Sequence, residues 1–238
     1  MTKYDEFYYK TGDMISSITD LNDKNYMQKY RDNIFCPDCR VAKLTFVNAK
    51  GKVAHPRTTQ GSIHEKYCPY AYESADTQVT TEYLKDLQNN KQIHNLMQSA
   101  MRYLCISKNV TTINHNIART QSNLMIIEPK QGITTTRKSI KRKSLNAYFD
   151  EENVGELFVF YGKVMLKFKK EKSWEAGYLQ IVPKEKIKFS ITIFDDIDIE
   201  ENTLYNLVAI GMVKNNKPIF QIELFNKNCL LYEKDKFY

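Results

Sequence analysis

The stretch FVFYGKVMLKF, residues 158–168, decides the fold of the C-terminal half of the chain. Apolar side chains occupy every second position, and Lys163 and Lys167 stand at alternate positions between them. A period of two is typical of a β-strand that buries one face. Gly162 lies in the middle of the stretch, where the missing side chain allows a bend. We therefore predict one long strand that bends near its centre.

Four further segments downstream have the alternating pattern of strands. The segments are YLQIVP (178–183), KIKFSITIF (186–194) and the two halves of LVAIGMVKNNKPIFQIEL (207–224). An acidic segment, residues 195–202, separates the first two from the last two, and KNNKP (214–218) reads as a hairpin turn. The predicted order is therefore three strands, an interruption and a hairpin.

In this order, the segments of residues 156–225 resemble the five strands of the OB-fold, a small β-barrel. The resemblance implies a face on strands two and three, flanked by the loops after strands one and four, that binds nucleic acid or oligosaccharide. Cations along a backbone and aromatic rings that stack on bases suit single-stranded nucleic acid, at about 1–3 kcal/mol per stacked base. The residues expected on or beside this face are Lys163, Lys167, Trp174, Tyr178, Lys186 and Lys188.

A second candidate for phosphate binding is the basic strip, residues 137–143, which carries five cations in seven residues. Neutralising phosphates releases condensed counterions, so such a cluster favours a polyanion. The formal charge of the whole chain, +7, points the same way. A solvated linker that its own charge keeps extended has the same composition. The five cations are Arg137, Lys138, Lys141, Arg142 and Lys143.

Two short motifs, CPDC and HEKYC, predict a metal centre near the N-terminus. Structural zinc takes four ligands, and two tight pairs let a short chain close a tetrahedron. Cys36 and Cys39 make one pair, whereas His64 and Cys68 make the other on one face of a helical turn, with a predicted hairpin between the pairs. His55 is the alternative to His64. Because the protein fills all four positions, the zinc would be structural and not catalytic.

The five cysteines occur without a recognisable secretion signal, which indicates a reducing compartment where clustered cysteines bind metal more often than they form disulfides. The apolar surroundings of Cys105 and Cys229 favour buried, inert thiols. No stretch approaches the ~18 apolar residues of a membrane span. We therefore expect a soluble, cytoplasmic protein.

The fold class that we expect is α+β, in three segments. Residues 1–106 form a zinc finger or ribbon followed by helices, because apolar residues recur at near-helical spacing from about Thr80 to Ile106. Residues 107–150 form a polar and basic connection. Residues 151–238 form the five-stranded OB-like barrel.

The function that we expect is non-enzymatic binding of single-stranded DNA or RNA, with zinc contributing folding free energy to the N-terminal region. A protein-binding adaptor or inhibitor from a mobile element is one alternative, because OB-like barrels also serve as protein-binding modules.

A nuclease is the other alternative. The CPDC and HEKYC motifs followed by a helix are similar to the N-terminal part of competence CoiA-like proteins, in which a zinc element precedes a nuclease domain. The resemblance implies Mg²⁺-dependent cleavage with Glu128 and Lys130 as a Glu-x-Lys motif. In this chain Pro129 stands between the two, and no aspartate lies between Gln88 and Glu128.

Overall fold

A computed structural model describes residues 4–50, 54–87, 90–106, 125–132, 134–170, 176–183, 186–194, 197–200, 202–216 and 218–235. The chain packs as two compact units. Unit 1 comprises Met1–Ser74 and Ser107–Ile140, and unit 2 comprises Ala75–Ile106 and Lys141–Tyr238. The helices of residues 75–106 therefore group with the C-terminal strands. The division into three segments along the chain stays a prediction.

The described part of unit 1 contains short strands and helical turns. Its labelled elements are β1 (Glu6–Tyr9), β2 (Met14–Ser17), α1 (Asp23–Asn25), β3 (Ile34–Phe35), β4 (Leu44–Val47), β5 (His55–Thr58), β6 (Glu73–Ser74), β7 (Ile126–Ile127) and β8 (Lys138–Ser139). Further helical turns cover Ile18–Asp20, Tyr26–Tyr30 and Pro69–Ala71. The described strands form three small sheets: β1 lies between β2 and β3, β4 pairs with β5 as a hairpin, and β8 lies between β6 and β7.

The core of unit 1 is largely aromatic. Alternation along β1 points Phe7 and Tyr9 inward, where each ring meets Tyr30 edge-on, with centroids 5.2 and 5.0 Å away. Burying such a side chain contributes roughly 1.5–3 kcal/mol. Cys36 and Cys68 belong to the same buried cluster. The thiols of the predicted metal centre are therefore continuous with the core of this unit.

The described residues of unit 2 form two helices and seven strands. Asp76 caps the first helix by accepting a hydrogen bond from the backbone N–H of Val79 at 2.8 Å. The second helix continues as a wider turn over Met101–Ile106, and a 3-10 turn covers Glu151–Asn153. The elements are α2 (Thr77–Asp86), α3 (Asn90–Ala100), β9 (Arg142–Ser144), β10 (Leu157–Lys170), β11 (Gly177–Val182), β12 (Phe189–Ile193), β13 (Leu204–Asn216), β14 (Ile219–Leu224) and β15 (Leu230–Lys234).

Five of these strands close into a barrel. β10, β11 and β12 form an antiparallel meander, β13 and β14 form the hairpin, and β13 returns to pair with β10. The ring closes where β12 runs parallel to β14, at Phe189↔Phe220 and Ser190↔Gln221. β9 adds beside β10, and β15 adds beside β13. The predicted order of three strands, an interruption and a hairpin is therefore confirmed.

The long strand β10 pairs with two different strands along one of its edges. Residues 159–161 pair with β9, whereas residues 165–170 pair with β11. Gly162 lies between the two stretches, and a methyl group there would come within 3.2 Å of the Asn146 side chain and 3.3 Å of Leu145. Glycine thus permits the close approach of the chain that follows β9.

The barrel interior holds the apolar face predicted from residues 158–168. Phe158, Phe160, Val164 and Leu166 are all at most 1% exposed and belong to one core cluster. Val159, on the opposite face of the strand, is buried too. The turn after α3 packs against β10 and β13, so the first half of β10 has both faces covered. The burial of both faces explains why the sequence of the first half of β10 is almost continuously apolar.

The chain is thus of mixed α+β class with a closed five-stranded β-barrel. The helical pattern predicted from Thr80 to Ile106 corresponds to α2, α3 and the turn that follows. Among the described residues, no helix has both the length and the apolar character that a membrane crossing needs.

Candidate metal centre and barrel face

The first ligand pair lies on a tight turn directly after β3. The backbone N–H of Cys36 donates to the carbonyl of Ala42 at 2.7 Å, and the N–H of Arg40 donates to the carbonyl of Cys36 at 3.0 Å. Arg40 adopts a left-handed backbone conformation with φ of 55°. These bonds reverse the chain within a few residues, so the side chains of Cys36 and Cys39 point to one place.

The second pair is formed by a turn and not by the predicted helical turn. The backbone N–H of Cys68 donates to the carbonyl of Glu65 at 2.9 Å, and Pro69 then begins a 3-10 turn. His64 and Cys68 nevertheless meet, with 3.4 Å between Nδ1 and Sγ. The i, i+4 spacing therefore identified the two residues that meet, although a turn and not a helical turn brings them together.

The two pairs converge on one point. The Cys36 and Cys68 sulfurs lie 3.7 Å apart, and the Cys39 sulfur lies 3.5 Å from His64 Nδ1. All four donor atoms lie within 4.8 Å of one another, close enough to hold a metal ion. His55 is not part of this group and lies in β5 opposite Val47.

The three thiols differ in their acidity. Burial raises the pKa of the Cys36 thiol well above its usual range, and hydrogen bonds from the thiols of Cys36 and Cys68 lower the pKa of Cys39. Since the thiolate is the form that binds metals, a divalent cation must displace the proton of Cys36. Cys39 is the thiol whose surroundings already favour the thiolate.

The second ring nitrogen of His64 is held by two hydroxyl groups. Nε2 lies 3.0 Å from the Tyr4 hydroxyl and 3.2 Å from Thr58 Oγ1, which are themselves 2.7 Å apart. The rings of Tyr4 and Tyr70 stack at 4.5 Å. Such outer partners fix the orientation of a ligating histidine. Tyr4 and Thr58 were not predicted from the sequence, because no spacing rule links a histidine to hydroxyl groups 60 and 6 positions away.

The basic strip is not an extended linker. Its residues form strands β8 and β9, which belong to unit 1 and unit 2, respectively. Arg137 pairs with Glu128 at 2.7 Å, and Lys141 pairs with Glu156 at 2.5 Å. Lys143 is only 6% exposed, and its amine lies 5.2 Å from the centre of the Phe149 ring. Lys138 and Arg142, in the same two strands, are partly buried.

The lysines predicted on the barrel divide into engaged and exposed groups. Lys163 pairs with the buried carboxylate of Asp235, and the Lys188 amine donates to the carbonyl of Ala147 and lies over the Phe149 ring. Lys167 and Lys186 are exposed. Trp174 lies outside the described residues.

Outward residues of β10, β11 and β12 form a continuous polar surface. Lys167 is opposite Gln180, which is opposite Ser190. Lys169 is opposite Tyr178, which is opposite Thr192. Tyr178, Gln180 and Thr192 are partly exposed. We refer to the following residues as the barrel face: Lys167, Lys169, Tyr178, Gln180 and Thr192.

The Glu-x-Lys motif lies immediately after β7. The carboxylate of Glu128 is engaged by Arg137, and Lys130 is part of an isolated backbone bridge with Thr134. In the part of the chain that the structure describes, the Cys36, Cys39, His64 and Cys68 group is the only cluster of three or more metal-binding side chains.

Both the thiol and imidazole cluster and the barrel face thus bring together side chains that could bind a ligand. The first presents three sulfurs and a nitrogen to a single point, and the second presents amines, amides and a ring on paired strands. Compared with known proteins, the chain matches no family model, no curated protein and no solved structure.

Proposed function

We propose that this protein is a non-enzymatic binder of single-stranded nucleic acid, with a structural zinc ion in unit 1 and the barrel face as its binding surface. The observation that carries the proposal is the alignment of exposed lysines with Tyr178 and two further polar side chains across three neighbouring strands. Such a surface offers charge to a phosphate backbone and a ring to a base.

The distances in the cluster support the assignment of zinc. With bonds of about 2.3 Å to sulfur and about 2.0–2.1 Å to nitrogen, a tetrahedron has edges of about 3.8 Å between sulfurs and about 3.5 Å between sulfur and nitrogen. The distances in unit 1 are 3.7 Å for Cys36 to Cys68, and 3.5 and 3.4 Å from His64 to Cys39 and Cys68.

The role of the zinc is structural in this proposal. Four protein ligands fill a tetrahedral site and leave no position for water or substrate. Cys36 and Cys68 are at most 3% exposed and lie in the core of unit 1. Folding free energy is therefore the contribution expected of the metal.

An OB-like identity for the barrel is supported by its strand order. Three antiparallel strands, a connection and a hairpin that returns to the first strand match the order inferred from the sequence. In OB-fold barrels, the face of strands two and three binds the ligand, and here these strands are β11 and β12. Three of the five residues of the barrel face lie on them.

The barrel face is a better candidate than the basic strip. Lys141 and Arg137 already have carboxylate partners, and Lys143 is buried. Lys167 and Lys169 are exposed neighbours on one side of β10. An amine that is exposed can neutralise a phosphate without first breaking an internal contact.

Fluorescence anisotropy with labelled dT20 and rU20 over a series of salt concentrations tests the proposal. Binding is expected at about 50 mM salt and to weaken steeply as salt increases. The double variant K167Q/K169Q is expected to bind more weakly and to reduce the slope of log K against log salt by about 1.4, since each phosphate contact to a single strand contributes about 0.7.

Lys234→Gln is the matched control, because it removes one exposed amine on β15 that pairs with Glu200 and lies outside the barrel face. It is expected to leave affinity and salt slope unchanged. Absence of binding at low salt, or equal losses in the control and the double variant, would refute the proposal.

A further inference from the structure

The row of the barrel face that contains Tyr178 and Thr192 leads to a cavity. Among the described residues, β12 and β14 pair at two positions, the second of which is Ser190↔Gln221. Next to this pair, Gln221 Nε2 donates to Thr192 Oγ1 at 3.0 Å. A cavity of about 720 Å³ lies at this point, and Thr192 and Gln221 both line it. The barrel face is therefore continuous with the cavity.

The lining of the cavity combines apolar and amide side chains. The lining residues that belong to the barrel core or pack against it are Ile193, Ile197, Ile222, Leu224, Leu230 and Tyr232. Gln221 and Asn226 add amide groups. An amide donates and accepts hydrogen bonds, as the edge of an unpaired base does, whereas the face of a base stacks on apolar surface. The volume is within the range of ligand pockets, about 300–1,000 Å³, so the cavity suits a planar base.

Phe194 lines the cavity while most of its surface faces water. The residue is 77% exposed and directly follows β12. Ile191 and Ile193 belong to the barrel core, so alternation places Thr192 on the outer surface. Phe194 is two residues further along, which puts its Cα atom at most about 7 Å from that of Thr192. Beside Tyr178, the molecule thus has a second ring on which a base can stack.

The charges at the cavity are compatible with a nucleotide. Two of the described lining residues are charged, Glu223 and Lys227. Glu223 pairs with Lys214 at 3.1 Å, whereas Lys227 is an exposed amine that can neutralise a phosphate. Burial raises the pKa of Tyr232, and the Asp198 carboxylate adds to the effect, so negative charge acts on that wall. An uncharged base is not repelled there, while its phosphate stays outside.

We propose that the cavity takes up an unpaired base of the strand bound on the barrel face, with the Phe194 ring stacked on the base and Lys227 beside its phosphate. This inference rests on the proposed function and names where one nucleotide of the strand binds. Taking a base out of a duplex costs unstacking and unpairing, so the cavity favours a single strand. Continuity favours a base over a free apolar molecule, because a strand that crosses Tyr178 and Thr192 reaches the cavity next.

Fluorescence anisotropy with labelled dT20, and with an abasic strand of equal length, tests the proposal at about 50 mM salt. The abasic strand keeps the phosphates and lacks the bases. Phe194→Ala is expected to weaken dT20 binding at least about fivefold, because the stacking contact is lost. Affinity for the abasic strand is expected to stay the same. The exposed position of Phe194 makes an effect on folding small.

Tyr148→Ala is the matched control, because it removes another exposed ring, one that does not line the cavity. The neighbouring Phe149 ring lies 4.5 Å from the ring of Phe189, at the start of β12, whereas Phe194 follows the end of that strand. The control is expected to leave the affinities for both strands unchanged.

Two further variants test the cavity and its charge. Leu230→Trp adds volume inside the cavity and keeps the Phe194 ring. It is expected to weaken dT20 binding and to spare the abasic strand, with circular dichroism as the check on folding. Lys227→Gln is expected to lower the slope of log K against log salt by about 0.7 for both strands. An unchanged slope would contradict the contact between Lys227 and a phosphate.

The outcomes separate this proposal from the proposed function. If K167Q/K169Q weakens dT20 binding but Phe194→Ala or folded Leu230→Trp does not, the barrel face binds the strand and the cavity takes up no base. If the wild type does not bind dT20 at low salt, the proposed function itself fails. Saturable binding of a fluorescent fatty acid that dT20 does not displace, or a dimer that Phe194→Ala dissociates, would assign the cavity to another occupant and overturn the proposal.

Discussion

The two ring nitrogens of His64 face different chemical groups. Nδ1 faces the sulfurs of Cys39 and Cys68, whereas Nε2 faces the hydroxyls of Tyr4 and Thr58. A hydrogen bond at Nε2 fixes the tautomer that leaves the Nδ1 lone pair free for a metal. We therefore expect the affinity of the site for a metal ion to depend on residues that do not touch the ion.

Tyr4→Phe tests this dependence. Loss of the hydroxyl is expected to weaken zinc binding about 10- to 100-fold, because the imidazole loses an orienting partner. Competition with a chromophoric chelator measures the change. Tyr205→Phe is the control, since that hydroxyl accepts a hydrogen bond from the backbone N–H of Glu200 in unit 2. Equal effects of the two variants would contradict the assigned role of Tyr4.

Cys36→Ser is expected to abolish stoichiometric zinc binding, because hydroxyl oxygen is a poor substitute for thiolate in a closed tetrahedral site. Metal analysis of the purified protein, and the charge-transfer absorption of a cobalt-substituted sample, measure the loss. Cys229→Ala removes a buried thiol outside the cluster and is expected to keep one zinc per chain. Full zinc content in Cys36→Ser would contradict the ligand assignment.

The buried thiol of Cys229 makes the free energy of unfolding depend on pH. Burial raises the pKa of its thiol from 9.0 to about 11. The unfolded chain releases this proton from about pH 9, and the folded chain retains it until about pH 11, so rising pH favours the unfolded state in this window. The free energy of unfolding is expected to fall by up to about 3 kcal/mol between these values.

Urea denaturation of wild type and Cys229→Ala at pH 8.5 and pH 11 measures this effect. The variant is expected to lose less stability over the same interval, while contributions from tyrosines and lysines are common to both proteins. An identical loss in both would show that the Cys229 proton is not linked to folding.

The neighbouring strands β13 and β14 leave no room for a side chain at Gly211. A methyl group there would lie 2.4 Å from the carbonyl oxygen of Glu223 on the neighbouring strand. Gly211→Ala is therefore expected to destabilise the barrel by about 2–3 kcal/mol, since backbone must shift to make room. Gly162→Ala, whose new methyl would meet side chains at 3.2 and 3.3 Å, is expected to cost about 1 kcal/mol or less.

Thermal unfolding, monitored by circular dichroism, compares the stability losses of these two variants. A smaller loss for Gly211→Ala than for Gly162→Ala would contradict the packing described between β13 and β14.

The sequence predicts secondary-structure elements better than the tertiary contacts around them. Period-two alternation identified the five barrel strands, and paired spacing identified four residues that converge, because both signals are local. β9 and β15 were not predicted, since strands of three and five residues carry little periodicity. The burial of Lys143 and the internal contacts of Lys188 depend on Phe149, which only the folded chain brings close to them.

For the whole molecule, the two compact units predict an uneven response to metal removal. If zinc holds the thiols in the core of unit 1, EDTA is expected to accelerate amide hydrogen exchange in residues 4–74 and to leave β10 and β13 protected. Mass spectrometry of peptic fragments measures both regions in one sample. Equal deprotection of the barrel strands, or none in residues 4–74, would contradict a zinc role confined to unit 1.

The uneven pairing around the barrel has a mechanical consequence. Two residue pairs join β12 to β14, and they are parallel, whereas nine antiparallel pairs join β10 to β13. Parallel pairing is slightly weaker per residue. Under tension or heating, we therefore expect the barrel to open first between β12 and β14. The product would be an open sheet that keeps every antiparallel ladder.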